Sequence, residues 1–279
     1  MEIKTNGISV NVISESDSVP TDKIPILFLH GFTGSAKDWS FLFSSLNSNY
    51  FPIAIDLPGH GKTTVPNKAD SFSTEAYTNI IQLVLDYFNI YKVVLVGYSM
   101  GGRSALAYTV KKNESVLGLI LESSTAGIED KREREIRIET DRMLAEKLLS
   151  EGMESFVHYW MEIPFFRSLK SLGEKEYSKL VLEKKQNSPQ GLANSLLGFS
   201  TGVMPSLWNN LGSLSIPTLL IAGNLDRKFV RINKEMNHLI PNSKLEIMDD
   251  CGHNAHLEKG KEFVILVNKF LSNLENHET

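Results

Sequence analysis

The chain has 279 residues, of which 42% are hydrophobic, enough to bury one large α/β core or two modest ones. Its formal charge of −4 argues against nucleic acid or an anionic membrane surface as a main partner, since either calls for a pronounced basic stripe. A single cysteine, Cys251, precludes an internal disulfide; no secretion-type leader, membrane-length apolar run, internal repeat or low-complexity tract is visible, so the cytoplasm is the expected compartment and no obligate protein partner is evident.

Ile8 to Ile13 alternates like a half-buried strand, while Ile26 to Leu29 and Phe51 to Ile55 are apolar runs closed by turn residues, as buried strands are. Helical spacing follows over Asp38 to Leu46 and Thr74 to Phe88. Then come a strand running into Gly97, a helix over Ser104 to Lys111, and a strand from Val116 to Leu121. This strand-helix-strand rhythm predicts a mainly parallel sheet flanked by helices. Between 127 and about 211 the pattern is helical only, including a helix from Glu129 to Glu151, and is punctuated by Pro164, Gly173, Pro189 and Pro205. The sheet resumes at Pro217 to Ala222, followed by a helix near Arg231 to Leu239, a strand at Lys244 to Met248 and an amphipathic helix from Lys261 to Leu271. The expected organisation is one α/β core, 1–126 and 212–279, carrying a helical cap, 127–211, inserted after the strand that ends near Leu121.

Chemistry concentrates where the fourth apolar run ends, at Gly97-Tyr98-Ser99-Met100-Gly101. A Gly-x-Ser-x-Gly between strand and helix presents its serine on a strained turn, and glycines on either side let strand and helix approach. A serine hydroxyl needs a general base, and the base an orienting acid. His253 and Asp226 each lie just beyond the carboxyl end of a later strand, where the loops of a parallel sheet gather. Asp226 could instead cap the helix that follows it, and Asp249 and Asp250 are competing carboxylates. The backbone amides of Met100, after the serine, and Phe32, after His30-Gly31, are the candidate oxyanion donors. His256 has no third or fourth ligand at metal-binding spacing, so it reads as structural, and no metal is expected. His30 and His60, in tight glycine-containing turns, read as loop braces.

Taken together, His30-Gly31-Phe32-Thr33-Gly34, Asp56-Leu57-Pro58-Gly59-His60-Gly61, the Gly97 to Gly101 elbow and Gly252-His253 resemble the α/β-hydrolase superfamily over nearly the whole chain. A narrower resemblance lies in Gly97 to Arg103, in the arginine-rich helix after Leu121-Glu122-Ser123-Ser124, in Tyr159 to Phe166, in Gly191 to Leu196 and in Met204 to Trp208. It is to the 2-succinyl-6-hydroxy-2,4-cyclohexadiene-1-carboxylate synthase family of menaquinone biosynthesis. That resemblance implies a cofactor-free lyase that eliminates pyruvate from an enolpyruvyl cyclohexene polycarboxylate and uses a Ser-Asp-His triad. The fold itself also hosts esterases, C–C hydrolases and non-catalytic receptors.

A substrate with three carboxylates calls for several cations. Arg103, one helical turn beyond Ser99, is the first candidate, the alternative being a surface ion pair. By match to the family pattern, Arg137 is a further carboxylate ligand, Trp160 an aromatic wall or else cap core, and Tyr98 a hydroxyl donor. Lys184 and Lys185 stand where the family can present another arginine. The rest of the Lys131 to Arg137 charge run reads as a solvated face.

Overall fold

The apolar runs assemble into one sheet in the computed structural model, which describes residues 1–275. Its strands are β1 (Glu2–Thr5), β2 (Ile8–Ser14), β3 (Ile24–Leu29), β4 (Tyr50–Ile55), β5 (Val93–Tyr98), β6 (Val116–Glu122), β7 (Thr218–Gly223) and β8 (Ser243–Met248). They lie in the order β1-β2-β4-β3-β5-β6-β7-β8. The first two pair antiparallel and β2 joins β4 antiparallel, whereas every pairing among β3 to β8 is parallel. Every residue of β4, β5 and β7 is buried, because helices cover both faces of a parallel sheet and leave no polar side to the strand. β1 was not anticipated; with Ile3 its single buried residue, it carries no apolar periodicity.

The helices are α1 (Lys37–Ser40), α2 (Thr74–Tyr87), α3 (Met100–Lys111), α4 (Lys131–Glu162), α5 (Glu174–Lys184), α6 (Pro189–Phe199), α7 (Arg227–Leu239), α8 (Ala255–Glu258) and α9 (Gly260–Glu275). One face of the sheet packs Tyr77, Ile81, Leu106 and Met236 of α2, α3 and α7. The other packs Trp39, Ala255, Phe263 and Val267 of α1, α8 and α9. The single helix expected over 38–46 is instead the four-residue α1 followed by a tight turn at Phe43–Ser45. Asn268 of α9 diverts the backbone there, donating to the Ser45 carbonyl at 2.8 Å and accepting from the Asn47 amide at 2.9 Å.

Between β6 and β7 the chain leaves the sheet and builds a separate apolar cluster from Leu148, Phe156, Val157, Leu169, Leu192 and their neighbours. Three side-chain caps open helices in and around it: Ser73 for α2, Asp130 for α4, and Ser188 followed by Pro189 for α6. Each such cap contributes about 1 kcal/mol. α4 is two helical segments joined at Gly152, whose φ of 76° and ψ of 176° are non-helical; the first segment ends at the expected Glu151. Among the described residues no helix is long and apolar enough to cross a membrane.

Candidate active site

β5 delivers Ser99 to the top of the sheet at φ 50° and ψ −104°, a conformation that costs a non-glycine residue about 1–3 kcal/mol and must be held by its surroundings. It is held from both sides. The Ser99 amide donates to the Glu122 carbonyl at 2.8 Å, and the Ser124 hydroxyl donates to the Ser99 carbonyl at 3.1 Å. A Cβ on Gly97 would lie 2.5 Å from the Gly101 carbonyl oxygen, and one on Gly101 would lie 2.1 Å from that of Leu29. Only glycine allows α3 to start this close to β3 and β5.

His253 Nε2 stands 3.0 Å from Ser99 Oγ, and its Nδ1 stands 2.6 Å from Asp226 Oδ2. Asp226 serves both of the roles that sequence leaves open. Its Oδ1 accepts from the Phe229 amide at 3.2 Å and caps α7, so the helix start fixes the carboxylate that meets the imidazole. Phe165 and Phe229 pack edge-on against the His253 ring at 4.4 and 4.7 Å, and the histidine is 4% exposed. Such an arrangement can take a proton from Ser99 while excluding bulk water. Asp249 is engaged elsewhere, accepting from Asn224.

Met100 opens α3 and Phe32 follows β3 in a turn closed by the Gly34 amide on the Gly31 carbonyl at 3.0 Å; both line the cavity above Ser99. His30 and His60 brace this region from below. His30 Nε2 accepts from the Leu57 amide at 2.9 Å while Nδ1 donates to the Gly31 carbonyl at 2.7 Å, and His60 Nδ1 donates to the Pro58 carbonyl at 3.0 Å. Burial brings His30 down to about 4 and His60 to about 3, so both are neutral braces at neutral pH. His256 is likewise structural: its Nδ1 meets Glu122 Oε2 at 2.7 Å and its ring stacks on Trp39 at 4.2 Å.

The cavity measures about 1160 Å³ and lies between sheet and cap. Arg103 reaches its wall from α3, 8% exposed, with Nη1 donating to the Phe199 carbonyl at 2.5 Å and the guanidinium 4.8 Å over the Phe199 ring. Among the described residues it has no carboxylate partner within ion-pair distance. Burial, reinforced by the charge of Arg137, lowers it to about 10, so it remains cationic at neutral pH. Arg137 also lines the cavity, in a 2.6 Å ion pair with Asp141 one turn along α4. Trp160 is both wall and cap core: it lines the cavity, meets Phe32 edge-on at 5.3 Å and stacks on Phe156 at 5.7 Å.

A profile of the alpha/beta hydrolase fold matches residues 24–260. The chain is 32% identical to a 2-succinyl-6-hydroxy-2,4-cyclohexadiene-1-carboxylate synthase from Enterobacter sp. (strain 638), over 84% of this chain and 86% of that one. A Bacillus subtilis (strain 168) protein, whose name provisionally assigns it the same activity, is 39% identical over 93% of this chain and 94% of its own. MenH from S. aureus superposes with a TM-score of 0.88 at 33% identity, covering 95% of this chain and 98% of that structure. The chain belongs to this synthase family of alpha/beta hydrolases.

Two residues expected at the substrate on the strength of the family pattern, Lys184 and Lys185, lie outside the cavity lining of this synthase-family chain. Lys184 is 6% exposed, and its Nζ donates to Thr33 Oγ1 at 3.1 Å. Lys185, the next residue on the helical spiral, points outward into a 2.5 Å ion pair with the exposed Glu154. Tyr98 lines the cavity as expected for a residue beside the elbow, and its hydroxyl donates to Asn254 Oδ1 at 2.6 Å. Sequence reasoning missed three cations that line the cavity, Lys147 on α4, Arg231 on α7 and Lys228 in the first turn of α7. Desolvation and the neighbouring Arg137 hold the Lys228 ammonium below the usual lysine range. Its position two residues after Asp226 was the available signal.

Proposed function

We infer that this protein is a lyase that eliminates pyruvate from 2-succinyl-5-enolpyruvyl-6-hydroxy-3-cyclohexene-1-carboxylate, giving 2-succinyl-6-hydroxy-2,4-cyclohexadiene-1-carboxylate for menaquinone synthesis. The observation that carries this reading is Arg103. A buried guanidinium without a carboxylate partner is costly by several kcal/mol, and an enzyme acting on apolar esters gains nothing from it. A polyanionic substrate neutralises it.

The triad then works as a base. His253, oriented by Asp226, accepts the Ser99 proton as the serine oxygen removes the ring hydrogen alpha to the succinyl carbonyl. Negative charge moves onto that carbonyl oxygen, where the Phe32 and Met100 amides stabilise it; one such donor contributes about 3 kcal/mol. The enolate electrons return through the ring, the carbon–oxygen bond to the enolpyruvyl group breaks, and the leaving enolpyruvate takes up a proton to become pyruvate. No ester to Ser99 forms. The three carboxylates of the substrate meet Arg103 deep in the cavity and Arg137 and Lys228 nearer its mouth, and this distribution sets the leaving group in line. A small polycarboxylate as partner and residence in the cytoplasm belong to the same proposal.

Purified protein given freshly made enolpyruvyl substrate should release pyruvate in step with the rise of diene absorbance, and Ser99→Ala should abolish both. A burst of acyl-enzyme from p-nitrophenyl esters with no pyruvate from the enolpyruvyl substrate would overturn the reading in favour of hydrolysis.

A further inference from the structure

The loop that carries the Phe32 amide is held by the cap rather than by the core alone. Thr33, the next residue, is β-branched and lies at φ 66°, a left-handed conformation that such residues keep only where their surroundings over-determine it. One turn of the cap supplies those surroundings. Lys184 Nζ donates to Thr33 Oγ1 at 3.1 Å and Asn187 Nδ2 donates to the Thr33 carbonyl at 3.0 Å. Asn187 Oδ1 in turn accepts from the Gly61 amide at 2.8 Å, which ties the same turn to the second loop at the sheet edge. Lys184 and Asn187 are each 6% exposed. Among the described residues Lys184 forms no ion pair within 4 Å; the buried Asp38 favours its charge from farther off, and the direct side-chain contact of the ammonium is with Thr33.

We propose that Lys184 and Asn187 are a strut through which the cap sets the oxyanion loop, holding Thr33 left-handed so that the Phe32 amide faces the charge that forms on the substrate. Both are positioning residues: neither lines the cavity, and their effect passes through Thr33. The reaction they serve rests on the function proposed above, but the geometry they impose does not. Docking of the cap and completion of the oxyanion site are one event in this arrangement, since α5 cannot withdraw without releasing Thr33.

Three variants test the strut, Lys184→Met, Asn187→Ala and Thr33→Val, the last removing the same hydroxyl acceptor with a side chain of matching shape. Two readouts are taken on each, steady-state pyruvate release and amide hydrogen exchange across residues 31–34. The expected result is a fall in kcat of about 10- to 100-fold with KM changed less than about threefold. Exchange at the loop should quicken while the β5 amides stay protected. The losses from Lys184→Met and Thr33→Val should not add when combined, because each breaks the one bond. A KM raised more than about tenfold at unchanged kcat would make Lys184 a substrate ligand and overturn the strut, as would unchanged exchange at the loop. Should the wild type release no pyruvate, the functional reading fails and exchange alone decides the strut. If Lys184→Met does not fold, Thr33→Val carries the same comparison.

Discussion

Arg103 separates stability from function within a single side chain. Its guanidinium is buried, holds one carbonyl and one aromatic face, and lacks a carboxylate. Replacing a buried charge with an apolar group of similar length is often neutral or stabilising, whereas a charge serving an ion pair costs about 3–5 kcal/mol when that pair is broken. Arg103→Met should therefore leave the urea unfolding free energy unchanged or raise it by up to about 4 kcal/mol. The same variant should lower kcat/KM for the enolpyruvyl substrate by about 100- to 1000-fold through loss of a desolvated carboxylate contact. Parallel urea titrations and kinetics check this: a stability loss above about 3 kcal/mol would make the residue a structural brace. Glu122 and His256 are the contrasting case, each 0% exposed and paired with the other behind the elbow, and breaking that pair should cost stability first.

At the scale of elements, α7 is the piece whose local folding and chemistry cannot be separated. Asp226 caps it with one oxygen and holds His253 with the other. Asn is as good a cap as Asp, so Asp226→Asn should leave thermal stability nearly unchanged while kcat drops by about 10⁴, because the amide no longer fixes the imidazole tautomer or balances its charge. Asp226→Ala should lose about 1 kcal/mol of stability in addition; a melt and a turnover assay on both variants distinguish the two roles. Elements of this kind are readable from sequence because two independent signals coincide on one residue. The central strands were legible for a similar reason, since burial on both faces leaves an unbroken apolar run. Legibility ended where a residue's role depends on the face of a cap helix it occupies. Lys184 and Lys185 are adjacent in sequence, yet one turns under the loop at Thr33 and the other out to Glu154. The Tyr98 hydroxyl donates to Asn254, 156 residues away, and no local pattern encodes that partner.

Over the whole molecule, the two buried imidazoles at the junction of core and cap make stability depend on pH. His30 and His60 lie with ring centroids 5.1 Å apart, and burial lowers them to about 4 and about 3, the charge of Lys184 adding in the same direction. In the unfolded chain each titrates near 6.5. Between these values the unfolded state binds protons that the folded state refuses, so the stability they confer is complete above about pH 6.5. It is lost as pH falls toward 4 and 3, by about 1.4 kcal/mol per pH unit for each histidine. Burial raises the carboxyls of Asp38 and Glu258, which has the opposite sign and masks part of the loss in the total. A difference measurement removes that background. Urea unfolding of the wild type and of His60→Asn at pH 7, 6 and 5 should give lower stability for the variant at pH 7, because the bond to the Pro58 carbonyl is weakened, and a shallower decline on acidification by about one proton. Parallel declines would mean that His60 titrates in the folded protein as it does in the unfolded chain, the nearby Asp56 carboxylate then offsetting the cost of burial.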